Sequence, residues 1–89
     1  SRSSVTYRIE FALSAARAFK KLDGTIQNRI VPKIDALASD PRPHGAEKLT
    51  GQENRYRVRV GDYRIIYVIN DGGRIIIIAV IGHRREVYR

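Results

Sequence analysis

Arginines dominate the C-terminal part of the chain. Residues 55–89 contain eight arginines and no lysine, and several of these arginines lie within runs that favour β-strand, such as RYRVRV and YRIIYVI. The guanidinium group stays protonated at neutral pH, and its planar fork of donors fits phosphate oxygens two at a time. A sheet face that carries several arginines therefore predicts a surface for a polyanion, and nucleic acid is the first candidate.

Length and composition limit the kinds of protein that this chain can be. It has 89 residues, of which 43% are hydrophobic and 29% charged, with a formal net charge of +8 at pH 7. This is the composition of one globular domain, and its positive charge attracts phosphate-rich partners. We expect a single domain over residues 5–89, preceded by a disordered or expression-derived N-terminus over residues 1–4.

Several classes of function are disfavoured. The chain has no cysteine and two histidines, neither of which has a ligand partner at a suitable spacing, so we expect no metal and no cofactor. The longest apolar run, Ile75 to Ile81, is much shorter than the ~20 residues of a membrane-spanning helix, and no signal peptide precedes Val5. We expect a cytoplasmic protein that does not enter a membrane.

The elements that must position the arginines follow from hydrophobic periodicity. Residues 5–11 alternate between apolar and polar and predict a first strand. Two helices follow, the first capped by Ser14 and stopped by Gly24, the second capped by Thr25 and carrying one apolar stripe. Pro32 predicts a kink or a restart in the second helix, because an interior proline removes a backbone hydrogen bond.

The remaining chain predicts a β-meander. Residues 44–54 are expected to form a loop, and residues 55–81 an antiparallel meander with turns at Gly61-Asp62 and at residues 70–73. The order β-α-α-β-β-β predicts an α+β domain in which both helices pack on one face of a small, mainly antiparallel sheet.

The register of the meander decides where the arginines point. If Val60 pairs with Tyr63 across the first turn, Arg59 lies opposite Arg64. The same register carried across the second turn places Ala79 opposite Arg64, where a small side chain leaves space for a nucleotide. The predicted arginine face comprises Arg55, Arg57, Arg59 and Arg64.

The opposition of Arg59 and Arg64 is not explained by stability. Like charges directly opposite each other on neighbouring strands destabilise a sheet, by up to ~1 kcal/mol. One interpretation is that these arginines merely solvate an exposed face. A bound phosphate explains the cluster better, because neighbouring strands contribute to the same patch.

Three segments together resemble the RelE branch of the RelE/ParE toxin superfamily: AEKLTG, YRVRVGDYRIIYVI and GHRREVYR. The resemblance spans residues 5–89. It implies a small bacterial or archaeal toxin with a RelE-like, microbial ribonuclease-type fold, which cleaves mRNA in the ribosomal decoding site without a metal. It also implies three partners, namely the ribosome, its mRNA and a RelB-like antitoxin whose acidic segment wraps the toxin in a hetero-oligomer.

The resemblance also suggests which residues act. The expected catalytic residues are Arg59, Arg64, His83, Arg84 and Tyr88. The expected RNA-binding residues are Lys48, Arg55, Arg57 and Arg85.

The implied reaction is attack of a 2′-hydroxyl on its own phosphate, which leaves a 2′,3′-cyclic phosphate and needs a base, a charge stabiliser and an acid. Arg59, Arg64 and Arg84 suit the stabilising role. Tyr88 is a candidate base or orienting group and His83 a candidate acid, although the roles can be exchanged and either ring could instead pack or stack on a base. Some relatives use lysine or glutamate, so the proton acceptor stays open.

The direction of the C-terminal side chains is a point of conflict. Simple strand alternation puts His83 on the arginine face and Arg84 on the opposite face, against the role that the resemblance implies for Arg84. A bulge at Gly82 would reverse this assignment.

Two other functions fit the same residues. The ParE branch inhibits DNA gyrase without catalysis, and basic C-terminal tails also occur in that branch. The third possibility is a plain RNA-binding module or an inactive toxin, which would bind RNA without cutting it.

Overall fold

A computed structural model describes residues 6–49, 51 and 54–83 of the chain. Its elements are β1 (Arg8–Phe11), α1 (Leu13–Lys20), α2 (Gly24–Ser39), β2 (Glu47–Lys48), β3 (Arg55–Val60), β4 (Tyr63–Asn70) and β5 (Ile75–His83). Both helices pack on one face of a sheet whose strands are ordered β1-β5-β4-β3-β2. The predicted α+β class is confirmed, and the sheet is mixed because β1 pairs with β5 in parallel while the other described pairings are antiparallel.

The core lies between the helices and one face of the sheet. The helices contribute the buried residues Ala15, Ile30, Ile34 and Leu37. The sheet contributes Val58, Ile65, Tyr67, Ile69, Ile76, Ile78 and Ile81. These positions follow the helical period in α2 and the strand period in β3 and β4, so the predicted apolar stripe and the predicted core face of the meander are both confirmed.

The helix ends differ from those predicted. Ser14 lies inside α1, where its hydroxyl donates a hydrogen bond of 3.2 Å to the carbonyl of Ala79. Gly24 opens α2 instead of stopping α1, and the N-cap of α2 is Asp23 rather than Thr25. Aspartate and threonine both favour the N-cap position, so residue type alone could not choose between these two starts.

The helix α2 runs without interruption through Pro32, so the predicted restart does not occur. Ile30 and Ile34 flank the proline and are both buried in the core. Their packing holds this part of the helix against the sheet, and it offsets the ~3 kcal/mol that an interior proline costs.

The strand β2 was not predicted from the sequence, which indicated a loop over residues 44–54. Glu47 and Lys48 pair with Arg57 and Tyr56 of β3. A strand of two residues is too short to show the alternation of apolar and polar residues that predicts a strand. The extended geometry of β2 comes from its backbone pairing with β3. This pairing places Glu47 beside the arginines of β3.

The pairing of β3 with β4 agrees with the prediction. Arg59 lies opposite Arg64, and Val60 lies opposite Tyr63 across the tight turn. Gly61 in this turn has a φ of 59°, a left-handed conformation that glycine adopts without a steric penalty.

The pairing of β4 with β5 differs from the prediction. The connecting turn extends to Arg74, and a bulge shifts the register further along the two strands. Ala79 is skipped in the pairing, so Gly82 and not Ala79 lies opposite Arg64. The bulge is therefore at Ala79 rather than at Gly82. A prediction from simple alternation assumes that no residue is skipped, and one extra residue moves the side chain of every later residue to the opposite face.

A polar network fixes the loop that leads into β2. The carboxylate of Asp71, in the β4–β5 turn, accepts hydrogen bonds from the hydroxyl of Tyr7 at 2.7 Å and from Nη2 of Arg42 at 3.0 Å. Arg42 also donates from Nε to the hydroxyl of Tyr56 at 3.1 Å and lies over that ring. The hydrogen bonds from Arg42 and Tyr7 lower the pKa of Asp71 below its usual value.

Replacement of this carboxylate should have a pH-dependent effect on stability. Asp71→Asn should lower the free energy of unfolding at neutral pH, because the amide cannot form the ion pair with Arg42. Since the pKa of Asp71 is lowered from 3.8 in the folded state, its stabilisation is complete above that pH and is lost as the pH falls through the folded-state value.

Urea unfolding from neutral pH down to about pH 2 measures this difference directly. The matched control is Asp62→Asn in the β3–β4 turn. The assigned network would be contradicted if the difference in the free energy of unfolding between the wild type and Asp71→Asn were the same at every pH.

Candidate nucleic-acid interface

The face of the sheet turned away from the helices carries the arginines of β3 and β4. Arg59 is exposed at the surface, whereas Arg64, directly opposite on β4, is only 7% exposed. Arg57 lies between these extremes, with 22% of its side chain exposed. The exposure of the three side chains thus decreases from Arg59 through Arg57 to Arg64. They share one face of the sheet, as the alternation predicts.

A small concavity lies on this face, where β2, β3 and β4 are neighbours. Its volume is about 120 Å³, and it is lined by Gly45, Glu47, Arg57, Val58, Arg59 and Arg64. A space of this size is large enough to hold a phosphoryl group. Three arginines against one glutamate leave the lining with an excess of positive charge.

Glu47 is the acidic member of this site, and sequence reasoning did not select it. Its Oε1 accepts a hydrogen bond from Nη2 of Arg57, directly across the β2–β3 pairing. This hydrogen bond lowers the pKa of Glu47, and the positive charges of Arg57, Arg64 and Arg59 lower it further. The side chain is therefore a carboxylate at neutral pH, held against the arginine cluster.

The signal for Glu47 was weak in the sequence. The residue belongs to the segment AEKLTG, which the resemblance used for recognition and not for a role. A short edge strand brings Glu47 next to Arg57, ten residues along the chain. Only the observed strand pairing connects the two.

Two expected RNA contacts lie beside the concavity and not in its lining. Arg55 pairs opposite Val68 and shares the arginine face with Arg57. Lys48 is exposed at the edge of the sheet and pairs opposite Tyr56, which puts it on the helix-side register of β2.

His83 does not reach the arginine concavity. It pairs opposite Tyr63 on the helix side of the sheet, and the two rings meet edge to face with centroids 5.4 Å apart. The expectation that His83 lies on the arginine face is wrong, because the bulge at Ala79 reverses the side on which later residues point. Arg84, Arg85 and Tyr88 lie outside the described residues.

Two features commonly sought in a small protein are not found in residues 6–49, 51 and 54–83. No group of three or more metal-ligating side chains is placed to hold an ion there. Neither described helix combines the length and the apolar character needed to cross a bilayer.

Comparison with known proteins agrees with this geometry. Residues 9–88 match the family model described as the ParE toxin of the type II toxin-antitoxin system parDE. A relative from Methanocaldococcus jannaschii that carries the RelE1 toxin name is 33% identical over 86 residues, covering 93% of this chain and 96% of that protein. The mRNA interferase toxin RelE of Escherichia coli K12 is 26% identical over 88 residues, covering 94% and 92% respectively.

Solved structures give the same result. RelE in the archaeal RelE–RelB complex from Pyrococcus horikoshii has a TM-score of 0.79 at 31% identity, covering 89% of this chain and 96% of that one. The isolated E. coli RelE toxin has a TM-score of 0.80 at 26% identity, covering 92% and 90%. This chain therefore belongs to the RelE/ParE superfamily of toxins from type II toxin–antitoxin systems.

The electrostatic coupling at the concavity can be measured. In an Arg57→Gln variant the pKa of Glu47 should rise towards its usual value, because its hydrogen bond to a cation is the main cause of the lowered value. Arg59→Gln should raise it less, since Arg59 contributes only a charge at longer range.

Carboxyl-carbon NMR titration of Glu47 provides the readout. Arg55→Gln is the matched control, because it removes an arginine from the same strand face without removing a cause of the shift. An unchanged pKa of Glu47 in Arg57→Gln would disprove the pairing.

Proposed function

We propose that this chain is the toxin of a type II toxin–antitoxin pair and that it cuts mRNA on the ribosome, in the decoding site. The observation that carries the proposal is the convergence of Arg57, Arg59 and Arg64 on one phosphate-sized concavity beside the carboxylate of Glu47. The name of the E. coli relative, an mRNA interferase, supports RNA as the substrate.

The arginines would stabilise charge in the transition state. Attack of the 2′-hydroxyl on the adjacent phosphorus increases negative charge on the phosphoryl oxygens, and preorganised cations lower the free energy of that state. Arg64 is suited to this role because it is nearly buried, where the field of a cation is less screened by water. Arg59, opposite it and exposed, would close over the phosphate from the solvent side.

Glu47 would be the general base. As a carboxylate in the lining of the concavity, it can accept the proton of the attacking 2′-hydroxyl. Its hydrogen bond to Arg57 weakens its basicity in the free protein. A phosphate that enters the concavity competes for Arg57, and release of this hydrogen bond raises the pKa of Glu47. The substrate would thereby activate its own base.

The acid would come from the C-terminal tail. The new bond joins the 2′-oxygen to phosphorus, the bond from phosphorus to the 5′-oxygen breaks, and that oxygen needs a proton. Tyr88 carries a phenol that would donate this proton, and Arg84 would add charge stabilisation near the leaving oxygen. His83, the other candidate from the sequence, lies on the far side of the sheet.

The remaining arginines would position the message. Alternate residues of a strand are separated by about 6.8 Å, so Arg55, Arg57 and Arg59 form a cationic row along one face of β3. We assign Arg55, with Lys48 at the neighbouring sheet edge and Arg85 in the tail, to contacts with the RNA backbone.

The partner that restrains the toxin would be a RelB-like antitoxin. RelE is found in complex with RelB in the P. horikoshii structure. A net charge of +8 favours an acidic segment that folds as it binds and covers the arginine face. The ribosome and its mRNA would be the partners of the free toxin.

Gyrase inhibition is the alternative activity of the superfamily. The relatives and structures reported above carry the RelE name, and one carries the name of an mRNA interferase. A supercoiling assay with purified gyrase distinguishes the two activities, and we expect no inhibition.

The proposal is tested by cleavage of a translated message. Purified ribosomes with an mRNA in the decoding site should yield cuts that primer extension maps within codons. Arg59→Gln should reduce the rate by about 10²–10³-fold, because it removes one charge stabiliser. Glu47→Gln should reduce the rate by about 10²–10⁴-fold, because it removes the proton acceptor.

Arg17→Gln is the matched control, since it removes the same charge from an exposed position on α1. Circular dichroism establishes that each variant is folded. Equal cleavage by Arg59→Gln and Arg17→Gln would refute the role of the concavity, and intact message with the folded wild type would refute RNA cleavage altogether.

A further inference from the structure

A second cavity lies on the helix side of the sheet, at the C-terminal end of β5. Its volume is about 240 Å³, twice that of the arginine concavity. It is lined by Ala18, Lys21, Leu22, Tyr63, Ile81, Gly82 and His83. The mechanism proposed above uses none of these side chains.

The chemistry of this cavity differs from that of the arginine concavity. Ala18, Leu22 and Ile81 give it apolar walls, while Tyr63 and His83 present two half-buried rings in edge-to-face contact. Flat aromatic rings beside apolar walls favour a flat, partly apolar ligand, and nucleobases stack on tyrosine and histidine in this way.

Cations lie at the same end of the molecule. The exposed Lys21 lines the cavity after the last turn of α1. The guanidinium group of Arg29, on α2, lies close to Gly61 in the β3–β4 turn. A base seated in the cavity would therefore have positive side chains near its own phosphate.

The two cavities are back to back at one end of the sheet. Arg64 and Gly82 are directly paired, and the next pair along the same strands is Tyr63 with His83. Because successive strand residues point to opposite faces, Arg64 lines the arginine concavity on one face, while Tyr63, its neighbour on β4, lines the aromatic cavity on the other. An RNA strand that contacts both cavities would pass around this end of the sheet.

From this arrangement we propose that Tyr63 and His83 form a stacking site for a nucleobase of the same RNA strand whose phosphate is held by the arginines. The inference rests on the proposed function, because it takes the occupant of the arginine concavity to be RNA. It assigns His83 to substrate binding and not to proton transfer. It also gives the protein a means to distinguish single-stranded RNA, whose bases are free to unstack, from a duplex.

The test uses two short single-stranded RNAs with 2′-O-methyl groups, which block cleavage. One carries all its bases, and the other has abasic residues within a few nucleotides of the central phosphate on either side. The wild type should bind the complete RNA about 5- to 160-fold more tightly, the range expected for the stacking of one base. The complete RNA should also shift the imidazole resonances of His83.

Variants assign the effect to the cavity. Tyr63→Leu and His83→Leu keep apolar bulk but remove a ring, and each should abolish most of the preference for the complete RNA. His44→Leu, in an exposed loop, is the matched control and should keep the preference. Arg59→Gln should weaken the binding of both RNAs by the same factor, because Arg59 is proposed to contact the phosphate and not a base.

The outcomes separate this inference from the proposed function. A wild type that binds both RNAs equally, or neither, overturns the stacking site even if mRNA cleavage is observed. A preference for the complete RNA that is lost in His83→Leu supports the site even if the message is not cut. If Tyr63→Leu does not fold, His83→Leu decides the question alone.

Discussion

The direct opposition of Arg59 and Arg64 across β3 and β4 is the constraint on which the site depends. Two guanidinium groups at paired strand positions repel each other, and one of them is almost buried. The hydrophobic core on the other face maintains this arrangement. Val58, Ile65 and Tyr67 are fully packed against the helices, and a slip of one residue would expose all three. The core therefore fixes a register that the arginines alone would not favour.

Glu47 gives this cluster its chemical character. Without a carboxylate, the concavity would be a simple anion-binding site. With it, Arg57 is already hydrogen-bonded to an anion of the protein itself. In the proposed mechanism a phosphate would compete with Glu47 for this cation, and substrate binding would then raise the basicity of Glu47. The strand that delivers Glu47 is short, and the hydrogen bonds of Arg42 to Asp71 and Tyr56 hold the loop that leads into it. A network remote from the concavity thus supports the placement of Glu47.

Much of this arrangement could be predicted from the sequence. Alternation in RYRVRV and YRIIYVI, joined by Gly61-Asp62, gave the register of β3 and β4 and hence the shared face of Arg57, Arg59 and Arg64. Local residue patterns are sufficient to predict this register, because a two-residue turn fixes which residues of the two strands lie opposite each other. The apolar stripe of α2 was predictable for a similar reason, since its period is set within one helix.

Other features required the folded structure. The bulge at Ala79 lies where β5 meets α1, and there the hydroxyl of Ser14 donates a hydrogen bond to the carbonyl of Ala79. This one extra residue moved His83 to the helix side and placed Gly82 opposite Arg64. The placement of Glu47 beside the arginines was hidden because β2 has no periodic pattern and exists only through its partner strand.

The most direct test of the account is a structure of the protein on a ribosome whose mRNA carries a 2′-O-methyl group at the cleavage position. We expect the phosphate to lie between Arg59 and Arg64, with Arg57 bonded to the phosphate and Glu47 released towards the blocked 2′-oxygen. A phosphate bound elsewhere on the protein, with the pair of Arg57 and Glu47 intact, would contradict the central claim.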